Sequence, residues 1–154
     1  MLEEGLRVCV VSEGLSLTQK DNPKPYGRLA ALQKKGATVL RGDRVLGGSF
    51  EDGRLISVFT RNLGEAEPLS ASLFVLATGK FFSRGLMSDK EHIWEPIFGA
   101  DVDYNPDRSR WFNADFAASQ PFMKFCVRTD DTGSVLIGGR PVDNLKAVGD
   151  ICNE

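Results

Sequence analysis

The chain has 154 residues, a formal net charge of -2, 42% hydrophobic residues and 26% charged residues. That balance is expected of one soluble globular domain with a core of moderate size. Its basic residues are scattered, which excludes a nucleic-acid footprint. No apolar run approaches the roughly 20 residues that span a bilayer, and Met1-Leu2-Glu3-Glu4 has no basic or apolar leader region.

In chain order, Leu2-Glu3-Glu4-Gly5 reads as the last turn of a helix with Gly5 as its cap. Leu6-Arg7-Val8-Cys9-Val10-Val11 reads as a buried strand. A helix end feeding a parallel-type strand implies a preceding strand and helix. Residues 18–25 are polar and carry Pro23 and Pro25, the composition of a linker or of a join left by a deletion. An amphipathic helix is expected over 26–35, stopped by Gly36, then a strand at Thr38-Val39-Leu40. Asp52-Gly53, flanked by apolar segments at 44–50 and 54–60, predicts a tight antiparallel hairpin. Residues 68–76 lead into a corner at Ala77-Thr78-Gly79, with a short helix or turn over 80–87. Strands are expected over 124–129, 134–137 and 145–148, with a turn at Gly138-Gly139.

Between 89 and 123 the periodicity fades and aromatics gather: Trp94, Phe98, Tyr104, Trp111, Phe112, Phe116 and Phe122. A long irregular stretch in a compact domain is often a binding loop. The alternative is that these rings cap a sheet face.

Two small-residue corners stand out. Leu73-Phe74-Val75-Leu76 ends in Ala77-Thr78-Gly79, and Leu145-Lys146-Ala147-Val148 ends in Gly149-Asp150. Glycine there admits a close ligand, though many strands end in small residues for packing alone. In a nucleotide fold, Asp150 would accept hydrogen bonds from ribityl or phosphate-linked groups. Glu13, after the first strand, would hold a ribose hydroxyl pair, or else be a solvated loop acid. Arg84, directly after the first corner, could grip a phosphate or carboxylate through its guanidinium fork, as could Arg108 and Arg110, against ordinary surface roles for each. His92 is the single histidine and lacks a metal or triad partner, which favours a structural or exposed role. Cys9, Cys126 and Cys152 show no metal-ligand spacing and read as reduced thiols of a cytoplasmic protein. No Gly-x-Gly-x-x-Gly occurs, so the usual phosphate-binding turn is lacking.

The strings from Phe74 through Ala77-Thr78-Gly79-Lys80-Phe81-Phe82-Ser83-Arg84-Gly85-Leu86, then Trp94-Glu95-Pro96-Ile97-Phe98-Gly99-Ala100-Asp101-Val102, Asp115-Phe116 and Gln120-Pro121, are similar to the B-subunit family of anaerobic glycerol-3-phosphate dehydrogenases. Thr129-Asp130-Asp131 and Asn144-Leu145-Lys146-Ala147-Val148-Gly149 extend the resemblance, which runs from about residue 26 to 149. The resemblance implies a flavoprotein subunit carrying FAD or FMN. It would work with a catalytic flavoprotein subunit and a membrane-anchoring iron–sulfur subunit. Together they would oxidise glycerol 3-phosphate to dihydroxyacetone phosphate and pass electrons to quinone. That places the chain in the cytoplasm, at the inner membrane face through its partners. Thr78, Gly79, Gly149, Asp150 and Glu13 are then the expected cofactor contacts, and Arg84 a contact to substrate or cofactor phosphate.

Three departures accompany the resemblance. The opening glycine-rich turn is lacking, residues 18–25 stand where a long intervening domain belongs, and four residues follow the Gly149-Asp150 corner. The expectation is therefore an α/β fragment of an FAD/NAD(P)-binding-type flavoprotein fold with an antiparallel hairpin or meander. It forms a single domain over 1–154: a nucleotide-fold remnant at 1–17, a linker at 18–25 and a flavoprotein-like segment at 26–154. Alone it is expected to bind no flavin and to lack activity. The rival expectation is a non-catalytic scaffold that docks a partner through the aromatics of 94–122.

Overall fold

The structure is a computed structural model that describes residues 9–12 and 33–152. The expected helix turn at 2–5, Glu13, the 18–25 linker and the helix from 26 to 32 lie outside the described residues. The chain divides into two compact units. The first holds residues up to Leu46 together with Phe59–Glu67, and the second holds Gly47–Val58 together with residues from Pro68 onward.

In the first unit, β1 (Cys9–Ser12) and β2 (Thr38–Arg41) pair in parallel, with Cys9 opposite Thr38 and Ser12 opposite Arg41. Residues 33–34 are helical and Gly36, at φ 89, ends that turn by donating its N–H to the Gln33 carbonyl. Glycine as the stop follows from the positive φ, which costs it no Cβ clash. Beyond β2 the buried Asp43 organises the chain. Its carboxylate accepts the Arg44 N–H at 2.8 Å, the Asn62 N–H at 3.1 Å and the Thr60 hydroxyl at 2.7 Å. The Thr60 hydroxyl oxygen in turn accepts the Leu63 N–H at 3.2 Å. Burial pushes the Asp43 carboxyl up, but these donors and the Arg61 guanidinium outweigh it and hold its pKa below the usual value.

A three-stranded meander follows: β3 (Val45–Glu51), β4 (Arg54–Thr60) and β5 (Gly64–Ser70), with β4 in the middle. The hairpin expected at Asp52-Gly53 is present. Both residues have positive φ, 47 and 77, the signature of a type I′ turn whose twist suits antiparallel strands. Within the second unit the hairpin tip is fixed by backbone proximity. A Cβ on Gly48 would lie 2.5 Å from Leu55 Cδ1 and 2.7 Å from the Ser57 carbonyl oxygen, so only glycine fits. The buried Asn144 side chain accepts the Leu55 N–H at 3.0 Å and donates to the Leu55 carbonyl at 2.7 Å, mimicking a strand partner.

The rest of the second unit is built from short strands. These are β6 (Phe74–Leu76), β7 (Met87–Ser88), β8 (Ile93–Trp94), β9 (Val102–Asp103), β10 (Cys126–Val127), β11 (Ser134–Ile137) and β12 (Arg140–Ala147). β7 pairs with β8 and β9 with β10, each antiparallel. β11, β12 and β6 form one sheet in that order. β12 runs antiparallel to β11 through Gly138-Gly139, whose N–H groups bind the two Asp101 carboxylate oxygens at 3.0 and 2.7 Å. It runs parallel to β6, with Leu145, Lys146 and Ala147 opposite Phe74, Val75 and Leu76. Leu76, Leu86, Val127, Val135, Val142, Leu145, Ala147 and Ile151 are buried in this unit.

Several expectations change. Among the described residues α-helix is confined to 33–34, and the other helical pieces are 3-10 turns of three or four residues. The α part of the α/β reading is thus not carried by the described residues, whose connections are short and broken by Gly and Pro. The two parallel strand pairs remain as its signature. The stretch at 68–76 is two strands with a break after Ser70. The strand expected at 124–129 shrinks to two residues, because Pro121 starts a 3-10 turn that runs to Lys124. The last strand is longer than expected and begins at Arg140.

Candidate functional site

The parallel pairing of β6 and β12 sets the site. Both strands end at the same edge, so Ala77-Thr78-Gly79 and Val148-Gly149-Asp150 lie side by side at their carboxyl ends. The Val148 N–H donates to the Leu76 carbonyl at 3.0 Å, carrying the ladder into the corner. Ligands of open parallel sheets bind beyond the carboxyl ends of adjacent strands.

The two glycines serve different ends. Gly149 has φ 72, and a Cβ there would meet nothing within 4 Å, so open space lies over this corner. Gly79 has φ 69, and a Cβ there would collide with the Ser83 side chain. A Cβ on Gly85 would collide with the Gly79 carbonyl oxygen and lie 2.7 Å from Thr78 Oγ1. Gly79 and Gly85 therefore let the loop close on itself rather than admit a ligand directly. The Lys80 carbonyl accepts the Gly85 N–H at 2.9 Å and the Ser83 hydroxyl at 3.3 Å, completing the closure. Thr78 Oγ1 is buried and has no hydrogen-bond partner. A buried hydroxyl without a partner is costly and marks a place where a ligand or water can bond.

A hollow of about 370 Å³ opens beside these corners, lined by Lys80, Phe81, Phe82, Ser83, Met123 and Asp150. Apolar rings and a thioether form one part of its wall, and an ammonium, a hydroxyl and a carboxylate the other. Lys80 Nζ donates to the Met123 carbonyl at 2.6 Å, tying the loop to the Pro121–Lys124 turn. Phe81 packs edge-on against Phe122 at 5.8 Å, while Phe82 is 91% exposed. Asp150 was singled out from the sequence, whereas Phe81, Phe82, Ser83 and Met123 were not. For Phe81, Phe82 and Ser83 the available signal is their position directly after a corner, whereas Met123, in the Pro121–Lys124 turn, has no such signal.

Arg84 does not line the hollow. It adopts φ 62, caps the Phe81–Ser83 turn with its N–H on the Phe81 carbonyl, and is exposed. Arg108 donates to the Asp89 carbonyl at 3.0 Å and sits 5.4 Å from the Trp111 ring centroid, and Arg110 lies 3.5 Å from Asp107. Local partners thus occupy both, matching the surface reading. His92 is exposed with Nδ1 3.6 Å from Asp89 Oδ1. The N–H groups of Glu91 and His92 hold the Asp89 carboxyl below the usual range. No cluster of three or more His, Cys, Asp or Glu side chains suited to a metal occurs among the described residues. None of their helices is long and apolar enough to cross a membrane.

The aromatic segment splits in two. Trp111 is buried edge-on against Tyr104 and Phe125, with its indole N–H on the Asn105 carbonyl, and Phe98 meets Phe50. Phe112 and Phe116, by contrast, are 58% and 96% exposed. They flank a loop that Gln120 clasps through the Asn113 N–H and the Asp115 and Ala118 carbonyls.

The FAD binding domain family model matches residues 3–153. A Vibrio cholerae protein named as the B subunit of anaerobic glycerol-3-phosphate dehydrogenase is 45% identical over 116 residues, which are 74% of this chain and 26% of that protein. A Vibrio vulnificus protein of the same name is 41% identical over 128 residues, covering 79% and 29% of the two chains. One from Yersinia enterocolitica is 40% identical over 118 residues, covering 77% and 28%. The chain therefore spans under a third of the length of the curated relatives it matches. No solved structure matches it.

Proposed function

The chain belongs to the FAD binding domain family, and from that premise we propose that it carries part of the flavin site of an anaerobic glycerol-3-phosphate dehydrogenase, in the position of its B subunit. The parallel pairing of β6 with β12 carries this reading, because it sets the two sequence corners side by side at the carboxyl ends of their strands. Bound flavin would supply the hydride- or electron-accepting chemistry. The chain's own residues would bind and orient it. The Thr78 hydroxyl, buried and lacking a partner, can donate or accept. Gly149 leaves room for close approach, and Asp150 offers acceptor oxygens to ribityl hydroxyls. Phe81, Phe82 and Met123 would shield one side of the ligand from water. Gly79 supports the loop from behind. Arg84 and Glu13 remain candidate contacts, to a phosphate and to a ribose.

The reaction of the full-length protein would be oxidation of glycerol 3-phosphate to dihydroxyacetone phosphate with reduction of quinone. Its partners would be a catalytic flavoprotein subunit and a membrane-anchoring iron–sulfur subunit, at the cytoplasmic face of the membrane. The sequence lacks a glycine-rich turn to satisfy flavin phosphate. Each missing charge-assisted hydrogen bond costs roughly 1.5–3 kcal/mol, or about one to two powers of ten in affinity. This chain alone should therefore purify colourless and bind FAD or FMN only weakly. Calorimetric titration with both flavins, followed by amide chemical shifts, tests the proposal. Weak binding with shifts at Thr78, Gly79, Gly149 and Asp150 supports it. Shifts confined to other residues, or none at millimolar flavin, would overturn the site. A stoichiometric submicromolar complex would overturn the claim that the chain is incomplete for binding.

A second reading has its own observation. The exposure of Phe112 and Phe116 favours a partner-docking surface on the Gln120-clasped loop, with no catalytic role for this chain.

A further inference from the structure

We propose that residues 80–85 form a gate over Thr78, closed in this structure, and that the gate must swing open before Thr78 can touch a ligand. Ligand contact by Thr78 rests on the flavin reading, whereas the gate stands on the loop's own geometry. Thr78 Oγ1 is buried without a hydrogen-bond partner, and Thr78 does not line the hollow. Gly85 covers it, since a Cβ there would sit 2.7 Å from that oxygen. The covering backbone is latched by the Gly85 N–H, which donates to the Lys80 carbonyl at 2.9 Å. A ligand seated in the hollow therefore cannot bond to the Thr78 hydroxyl while the latch holds.

Two features raise the energy of the closed state. A buried hydroxyl without a partner forfeits the bonds that water gives it once the loop swings away. Arg84 adopts φ 62, in the left-handed region, which is costly for a residue with a Cβ and clusters at switch regions. Little buried surface opposes these costs. Phe82, Ser83 and Arg84 are exposed, and Phe82 at 91% buries almost no apolar area. The edge-on packing of Phe81 on Phe122 and the Gly85 latch are among the ties that hold the loop down. On either side the chain is fixed, because Leu76 and Leu86 are buried, so opening leaves the strands in place. Gly79 stands just before the moving segment and Gly85 ends it, and glycine backbone turns with the least steric resistance. A loop with few buried apolar contacts opens at low free energy. A ligand that bonds to Thr78 only in the open state shifts the population toward that state.

Amide hydrogen exchange of the whole chain tests this at the Gly85 N–H, which the closed loop protects. Thr78→Val removes the hydroxyl and keeps the side-chain shape. It should hold the gate shut and slow Gly85 exchange about five- to hundredfold. Thr78→Ser keeps the hydroxyl and should exchange as the parent chain does. Arg84→Gly relieves the left-handed backbone and should slow Gly85 exchange about two- to fivefold, the gain being trimmed by glycine's freedom in the open loop. A loop in which these residues only support the fold would loosen on substitution instead of tightening. Slower exchange in either variant supports the gate, and unchanged or faster exchange in both overturns it. Titration with FMN to millimolar then separates the gate from the flavin site. Faster Gly85 exchange as FMN binds supports both, because the ligand draws the loop open. FMN shifts at Gly149 and Asp150 with slower or unchanged Gly85 exchange overturn the gate and leave the flavin site standing. No FMN shifts, with exchange slowed in the variants, overturns the flavin site and supports the gate.

Discussion

Single side chains that read the backbone hold this protein together. Asn144 is the clearest case, since its amide makes both hydrogen bonds that a neighbouring strand would make to Leu55. Asn144→Leu should therefore destabilise by about 2–5 kcal/mol, because it strands a buried N–H and C=O at once. The urea midpoint measures this, and an unchanged midpoint would refute the clamp. Buried Glu95 works alike, its carboxylate taking the N–H groups of Ile97 at 2.9 Å and Phe98 at 2.7 Å. The aspartates give a pH signature. Burial pushes Asp43 up, but the Thr60 hydroxyl, the Arg44 and Asn62 amides and Arg61 together pull it below its ordinary value. Asp89, Asp107 and Asp130 are also lowered, mainly by the Glu91 N–H, the Ser109 hydroxyl and the Thr132 hydroxyl. A carboxyl with a depressed folded pKa stabilises above its unfolded pKa, and that contribution is lost as pH falls through the folded value. Stability should thus hold from neutral pH to about 4 and decline below it. Asp43→Asn should flatten that acid limb in urea titrations run at several pH values, and an equally steep limb in the variant would sink the assignment.

At the scale of elements, the turns decide what the strands can do. Asp52-Gly53 was legible because a two-residue turn between apolar runs demands positive φ, and both residues have it. Gly53→Val should cost about 1–2 kcal/mol, the penalty of a left-handed conformation for a branched residue. A comparable melting temperature in the variant would contradict the turn type. The loop after β6 was legible only as a corner. Its sequence did not reveal that Gly85 packs on the Gly79 carbonyl, a contact across the loop that local pattern does not encode. Gly85→Ala forces that loop open without touching the strands. Limited proteolysis should then cut within 79–86 in the variant and spare the parent chain, whereas identical digests would argue against the closure. The aromatic segment was ambiguous for a related reason. Rings on irregular backbone carry no period, so nothing local separates buried Trp111 from exposed Phe116.

For the whole molecule, two parallel strand pairs sit in a chain matched by the FAD binding domain family over residues 3–153. Parallel pairs normally belong to sheets covered on both faces, yet Val75 on β6 stays exposed. The flavin titration belongs at this scale, since affinity depends on how many elements converge on one ligand. Asp150→Ala should weaken any residual flavin binding by about three- to tenfold, the worth of roughly one hydrogen bond. Unchanged affinity would remove Asp150 from the site.

By itself, the sequence determined the family resemblance, the hairpin, the strands at 38–40 and 134–137, and the two glycine corners. Each depends on a contiguous string, a two-residue period or a turn that needs glycine. Only the tertiary structure decided that β6 and β12 pair in parallel, that Phe81, Phe82 and Met123 share a hollow with Asp150, and that Arg84 stands outside it. These are contacts between residues far apart in the chain. They follow from register and packing, which no local window of the sequence contains.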